Sequence, residues 1–185
     1  MDLDAILRSC LEGSQQAWKA LVDAYARRIF NMAYQFCGSR EEAEDRTQEV
    51  FLKLHGALPK YDFGKNFTAW LLTLAKNHLI DEYRRTKWEK TNRDEFDERV
   101  LSQAVAGGPE QSLVAQETKE LVWEGLNRLS ADMRMVIILR DLQGKSYEEV
   151  AEVLALPLGT VKSRVNRARL QLARVLRERR GDLTW

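Results

Sequence analysis

The sequence predicts an all-α protein built as two small helical domains joined by a flexible linker. Apolar residues recur at helical spacing in two long stretches, and the stretch between them lacks this pattern. Ten glycines and three prolines in 185 residues leave little material for turns. With 44% hydrophobic and 31% charged residues, the composition is globular. We expect the first domain at residues 1–86, the linker at 87–112 and the second domain at 113–185.

The first domain is predicted to contain three long helices, at 15–37, 39–58 and 67–85. Gly38 should close the first helix, because glycine readily adopts the left-handed conformation that ends helices. Ser39 can cap the second helix while Glu42 reaches back toward it, which is the capping-box pattern. Pro59 stops this helix, and a short loop at 59–66 precedes the third.

The linker is predicted where apolar residues become sparse. Residues 89–98 hold five acids and two bases, and a break of two glycines and a proline follows at 107–109. Such a segment buries too little apolar surface to pack as a helix of a domain. At roughly 25 residues it also exceeds the loops usual within compact domains. We therefore interpret it as a separator between two domains.

The second domain is predicted to form four helices, at 113–129, 130–139, 146–154 and 160–180. Ser146 and Glu149 form a capping box, and Pro157 to Gly159 should make the tight turn before the last helix. A short helix, a brief turn and a second helix match the spacing of a helix-turn-helix. Residues 157–185 hold eight basic and two acidic residues, as expected where a terminal module meets a polyanion.

The last helix has two different faces. At 100° per residue, one buried stripe is predicted, formed by Val161, Val165, Ala168 and Leu172. The opposite face holds the polar side chains Lys162, Ser163, Asn166 and Arg167, with Arg164 and Arg169 at its edges. These groups can donate hydrogen bonds to bases or phosphates in a major groove. The simpler interpretation, a solvated basic face, applies better to the arginines further along the helix.

Two sets of motifs resemble one known family. Residues 146–169, SYEEVAEVLALPLGTVKSRVNRAR, resemble region 4 of extracytoplasmic-function (ECF, group 4) sigma factors of the sigma-70 family. Residues 41–51, EEAEDRTQEVF, and 67–85, FTAWLLTLAKNHLIDEYRR, resemble their region 2. The two regions occur in the family's order. Where many members place Gly or Cys before the turn proline, this chain has Ala155 and Leu156, and Asn166 replaces a common hydrophobic residue.

The resemblance implies roles for individual residues. Residues where the family docks on the β′ clamp coiled coil of core RNA polymerase are Asp45, Gln48 and Glu49. Residues placed to bind the melted −10 strand are Lys60, Lys65, Asn66, Trp70, Asn77, Arg84 and Arg85. Residues placed to read the −35 element are Thr160, Lys162, Ser163, Arg164, Asn166, Arg167 and Arg169. Further partners implied are the β flap, promoter DNA and a cognate anti-sigma factor.

Alternatives remain for several of these roles. Without the resemblance, the acidic helix around Asp45 would be interpreted as an ordinary surface, and Trp70 is better explained as a packing residue than as a stacking platform. The linker either threads through polymerase, as in the family, or is a plain tether. A dimeric helix-turn-helix repressor is the second hypothesis for the whole chain, and it predicts duplex DNA binding without polymerase.

Other classes of function are disfavoured by the sequence. The two cysteines form no CxxC pair and the two histidines stand apart, so neither a metal site nor a cofactor is expected. No nucleophile–base constellation or phosphate-binding glycine loop indicates an enzyme. The start of the chain lacks a signal-peptide pattern, and no apolar run is long enough to span a membrane. We expect a cytoplasmic protein.

Overall fold

The computed structural model describes the backbone of residues 2–92 and 113–181, and the side chains of residues 2–89 and 120–178. Within these ranges the chain contains eight α helices and no strand, which confirms the all-α prediction. Four helices form an N-terminal bundle: α1 (Leu3–Leu11), α2 (Gln15–Cys37), α3 (Arg40–Ala57) and α4 (Phe67–Asn92). Four form a C-terminal bundle: α5 (Leu113–Asn127), α6 (Ala131–Ile137), α7 (Tyr147–Leu154) and α8 (Leu158–Gly181).

The junction between α2 and α3 follows the predicted cap chemistry in most respects. Gly38 ends α2 with a left-handed φ of 78°. The Ser39 hydroxyl accepts a hydrogen bond of 3.3 Å from the backbone N–H of Glu42. The Glu42 carboxylate does not complete the capping box and lies 3.9 Å from the Arg46 guanidinium of the next helical turn. The cap is thus formed from one side.

Helix α4 is longer than the apolar pattern predicts, since it continues beyond Arg85 to Asn92. Charged pairs lie where this extension begins. The Arg85 guanidinium pairs with Glu82 and lies 4.0 Å from Glu89, at the i,i+3 and i,i+4 spacings that support exposed helices. The first six residues of the predicted linker are therefore helical, and the rest of it, 93–112, lies outside the described residues.

The C-terminal bundle differs from the prediction at two joints. Helix α6 passes into a π-helical turn at Ile138–Leu142, where the N–H of Gln143 donates 2.9 Å to the carbonyl of Ile138. Helix α8 begins at Leu158, two residues before the predicted Thr160, because the chain reverses at Ala155 and not at 157–159. Ala155 makes the reversal with φ 52°, the one non-glycine residue of the described chain in the left-handed region.

The two bundles pack against each other and share one apolar core. A continuous cluster of buried side chains runs from Leu7 in α1 through Leu71 in α4 to Val150 and Val165 in the C-terminal bundle. Polar bonds cross the same boundary: the Thr73 hydroxyl donates 2.9 Å to the carbonyl of Val153. We call this packing the closed arrangement.

Arg134 lies at the centre of the closed arrangement. Its side chain is 2% exposed, although it carries a charge. The guanidinium donates to the carbonyls of Leu126 and Asn127 at the end of α5, at 3.0 and 3.1 Å, and to that of Phe36 at the end of α2, at 3.0 Å. It also lies over the rings of Phe36 and Tyr83, at 5.1 and 4.9 Å. One cation thus satisfies the carbonyl ends of helices from both bundles.

The two cysteines are free thiols. Burial raises the pKa of both, and that of Cys37 reaches about 12. The neighbouring Glu42 carboxylate adds to the effect of burial at Cys37. Both thiols therefore stay protonated and unreactive at neutral pH, as expected for packing residues.

Candidate nucleic-acid and partner interfaces

Helix α8 has the buried stripe that the sequence predicts. Val161 and Ala168 are fully buried and Val165 is 1% exposed, while Leu172 packs on a small cluster around Leu126. Helix α7 before it starts at a complete capping box: the Ser146 hydroxyl accepts from the Glu149 N–H, and the Glu149 carboxylate accepts from the Ser146 N–H. These anchors fix which face of α8 points outward.

The outward face of α8 carries the polar residues predicted for it. Lys162, Ser163, Asn166 and Arg167 are all exposed. The Ser163 hydroxyl donates 2.9 Å to the carbonyl of Thr160, so it is already oriented by the helix. The sequence analysis did not single out Leu170, which is 65% exposed. It follows Asn166 and Arg167 at i+4 and i+3 and therefore shares their face.

The two arginines at the edges of this face have neighbours in the closed arrangement. Arg169 binds Asp141 through two nitrogens, with Nε 2.9 Å from the carboxylate, and this hydrogen bond raises its pKa. Arg164 is half-buried, and its positive charge adds to the effect of burial in lowering the pKa of Lys76 in α4. The start of α8 therefore lies near the N-terminal bundle.

Four of the seven predicted −10 residues lie in the loop before α4 or in the first turn of α4. Asn66 uses its side-chain oxygen to accept 3.2 Å from the Ala69 N–H, so it caps α4. Trp70 is half-buried, with its ring centroid 4.9 Å from that of Tyr61, and is a packing residue as the simpler interpretation held. Lys60 and Lys65 are exposed, and no ion pair between described residues involves either of them.

The remaining three predicted −10 residues lie along α4. Asn77, Arg84 and Arg85 are exposed. Arg85 pairs with Glu82 on its own helix, whereas Arg84 pairs across the bundles with Asp132 of α6, at 3.0 Å. Sequence reasoning missed Trp88, which is 68% exposed, because the apolar pattern ends the helix before it.

Helix α3 carries the predicted docking residues, but they are not equivalent. Asp45 and Gln48 are exposed, whereas the Glu49 carboxylate lies 2.7 Å from both Arg46 and the buried His78. Burial would raise the pKa of Glu49, but these two hydrogen bonds hold it below its ordinary value. Glu49 is therefore part of the packing between α3 and α4.

An apolar residue completes the outward face of α3. Leu52 is 74% exposed, more than any other large hydrophobic residue within the described ranges. It follows Asp45 at i+7 and Gln48 at i+4, so all three share one face. Leu52 is not among the predicted docking residues, although its spacing from Asp45 and Gln48 in the sequence places it on their face.

Neither a metal site nor a membrane span is found in the parts of the chain that can be described. In residues 2–92 and 113–181, no three His, Cys, Asp or Glu side chains could hold a metal ion together. In the same ranges no helix is long and apolar enough to cross a membrane.

Comparisons with known families match the two bundles separately. Residues 21–89 match the family described as Sigma-70 region 2, and residues 119–172 match Sigma-70, region 4. The ECF RNA polymerase sigma factor SigW of Bacillus subtilis is 32% identical over 178 residues, covering 93% of this chain and 95% of that protein. The ECF RNA polymerase sigma-E factor of Escherichia coli K12 is 32% identical over 164 residues, covering 85% of each.

Two solved structures resemble the whole fold. CnrH in complex with the cytosolic domain of CnrY has a TM-score of 0.68 and 25% identity, covering 96% of this chain and 99% of that one. The sigma factor RpoE of Bartonella quintana, in complex with the anti-sigma factor NepR, has a TM-score of 0.65 and 30% identity, covering 86% and 96%.

The fold and the exposed faces define a two-region, helix-turn-helix DNA-binding protein of the sigma-70 type. The chain belongs to the ECF RNA polymerase sigma factors.

Proposed function

We propose that this chain binds core RNA polymerase and directs transcription initiation by reading the −10 and −35 elements of promoters. The observation that carries the proposal is the outward face of α8, where four polar side chains stand exposed opposite a fully buried stripe. Membership of the sigma factor family indicates that this DNA-binding face acts together with RNA polymerase. The protein is not an enzyme in this proposal and acts in the cytoplasm, where polymerase and DNA are.

The −35 element is proposed to bind α8 in the major groove. Lys162 and Arg167 can donate to guanine, and Asn166 can bond an adenine edge through its amide. Thr160 and Ser163 in the first turns add hydroxyl groups, and Arg164 and Arg169 hold phosphates. The C-terminal bundle is also proposed to contact the β flap of polymerase.

The −10 strand is proposed to run along the loop before α4 and onto α4 itself. Lys60 and Lys65 supply exposed cations at one end, and Asn77 and Arg84 supply an amide and a guanidinium further along. Single strands bind where cations lie beside groups that hold unstacked bases. Asn66 can donate through its amide nitrogen, while its oxygen accepts the capping hydrogen bond from Ala69.

Docking on the β′ clamp coiled coil is proposed to use the outward face of α3. Asp45 and Gln48 offer a charge and an amide, and Leu52 offers an apolar contact that is otherwise exposed to water. We also propose a cognate anti-sigma factor, because the similar RpoE is solved in complex with an anti-sigma factor, and the similar CnrH is solved with the cytosolic domain of CnrY bound.

Run-off transcription with core polymerase on genomic promoter fragments tests the proposal. A sigma factor gives specific transcripts only with core polymerase present, and it binds duplex DNA weakly alone. A tight complex with duplex DNA and no transcript from any fragment would instead indicate a dimeric helix-turn-helix repressor.

Replacing Arg167 by alanine is expected to weaken −35 binding by about 1–3 kcal/mol, roughly 5- to 150-fold. Arg167 is exposed on the outward face, so the fold loses no packing. The measurement is holoenzyme affinity for a promoter fragment found by run-off transcription. Arg174→Ala is the matched control, an exposed arginine two turns further along α8. Equal effects of both variants would contradict base reading by Arg167.

Replacing Leu52 by aspartate is expected to weaken binding to core polymerase by about tenfold, because a charge replaces an apolar contact at a docking face. Leu11→Asp is the control, since Leu11 is also an exposed leucine but belongs to α1. Affinity for core polymerase can be measured by fluorescence anisotropy of labelled chain without DNA. If Leu52→Asp binds as well as the control, the docking face does not include this residue.

A further inference from the structure

One ion pair of the closed arrangement involves a residue that the proposed function assigns to DNA. The Arg84 guanidinium on α4 lies 3.0 Å from the Asp132 carboxylate on α6, so the pair joins the two bundles. Both side chains stay partly open to solvent, at 60% and 47%. The pair therefore lies at the edge of the closed arrangement, where another anion could reach Arg84.

The position of Asp132 is fixed by its helix. Ser130 caps α6 by accepting a hydrogen bond from the Met133 N–H, and Ala131 and Met135 on either side are buried. The carboxylate sits in the first turn, where the helix dipole favours negative charge. The backbone of Asp132 thus has a fixed place in α6, from which the partly exposed carboxylate reaches Arg84 of α4.

Asp132 also acts on a second cation of the same helix. Lys76 is half-buried, and burial lowers its pKa. Of the charges that oppose this shift, the Asp132 carboxylate is the strongest, followed by Asp81. Lys76 and Arg84 are eight residues apart, which places them about 12 Å apart along α4 and about 80° apart around its axis.

We propose that Asp132 occupies, in the closed arrangement, the position that a phosphate of the −10 strand takes on Arg84. A carboxylate and a phosphate oxygen offer guanidinium and ammonium groups the same kind of acceptor. The C-terminal bundle then competes with promoter DNA for this side of α4. This inference rests on the proposed function, because it needs α4 to bind the −10 strand.

The distance between the −10 and −35 elements requires the C-terminal bundle to leave α4 when both elements are bound. Elements centred near −10 and −35 are about 25 base pairs apart, which is roughly 85 Å of duplex at 3.4 Å per pair. Helix α4, with 26 residues, is about 39 Å long. A C-terminal bundle packed on α4 therefore cannot read −35 while the N-terminal bundle holds −10, so Asp132 leaves Arg84 when both are bound.

The test measures how the full chain, without polymerase, binds a fluorescein-labelled single-stranded DNA of 15 mixed-sequence nucleotides. Asp132→Asn keeps the side-chain size and removes the charge. We expect about threefold tighter binding than wild type, the change typical of one exposed ion pair. The slope of log affinity against log salt should steepen by about 0.7 for each cation released. Asp23→Asn, an exposed acid on α2, is the control for net charge.

Two further variants separate the outcomes. In the double variant Asp132→Asn with Arg84→Ala, the gain in affinity should disappear if the released cation is Arg84. Equal affinities and slopes for Asp132→Asn and Asp23→Asn would overturn the competition, and weaker binding by Arg84→Ala alone would then leave the proposed function standing. If Arg84→Ala binds as tightly as wild type, Arg84 does not hold DNA and both the residue's role and the competition fail.

Discussion

Replacing Arg134 by methionine is expected to lower the free energy of unfolding by about 3–5 kcal/mol. The guanidinium is 2% exposed and donates to the carbonyls of Leu126, Asn127 and Phe36. Methionine fills similar space but donates no hydrogen bond, so two buried carbonyl oxygens and one partly buried carbonyl oxygen lose this donor. Each such loss costs about 1–3 kcal/mol when nothing replaces it. Contacts with two aromatic rings disappear as well.

Urea denaturation followed by circular dichroism measures this effect. Arg134→Lys should lose less stability than Arg134→Met, because lysine keeps the charge and can still donate hydrogen bonds. It should remain less stable than wild type, because lysine lacks the planar fork that reaches three acceptors. Arg128→Met is the control, since Arg128 is exposed and lies in the nearby loop between α5 and α6, and it should change stability by less than about 0.5 kcal/mol. A loss of similar size in the Arg128 variant would refute the assigned role of Arg134.

Replacing Gly38 by alanine is expected to cost about 2–4 kcal/mol, from two causes that can be separated. The φ of 78° is strained for any residue with a Cβ atom. An added Cβ would also lie 1.7 Å from the Trp123 ring of the C-terminal bundle, so the indole must move. The substitution therefore strains the N-terminal bundle and also pushes the C-terminal bundle away from it.

Gly13→Ala is the matched control for this prediction. Gly13 has a φ of 87°, and nothing lies within 4 Å of an added Cβ, so it pays only the backbone cost. The difference in unfolding free energy between the two variants reports the Trp123 contact. Small-angle scattering should also show a larger radius of gyration for Gly38→Ala alone. If both variants lose the same stability and keep the same radius, Trp123 does not pack on Gly38 in solution.

Much of the fold follows from local chemistry, and could therefore be predicted. The buried stripe of α8 needs only the helical period, and the cap at Ser146 needs only a serine and a glutamate three residues apart. Gly38 marks the end of α2 because of its left-handed backbone. In each case the interacting residues are within a few positions of each other in the chain.

The features that could not be predicted depend on contacts distant in sequence or on opposing effects. Asp132 faces Arg84 across 48 positions, and no spacing rule covers such a pair. Helix α4 outlasts its apolar pattern, and charged pairs around Arg85 lie where the extension begins. Ala155 adopts a conformation that its residue type disfavours, by roughly 1–2 kcal/mol, because the fold requires a reversal there.

The shared core of the two bundles links the stability of the closed arrangement to promoter affinity. A chain that reads both elements must have its two bundles apart, and we call this arrangement open. The apparent affinity for a promoter then equals the affinity of the open chain multiplied by the fraction of chains that are open. Each ~1.4 kcal/mol that favours closure lowers it about tenfold while the chain is mostly closed. A substitution at the boundary, such as one at Thr73, could therefore change the concentration needed for transcription without touching DNA or polymerase. The concentration of this protein at which transcription begins therefore depends on how tightly the two bundles pack against each other.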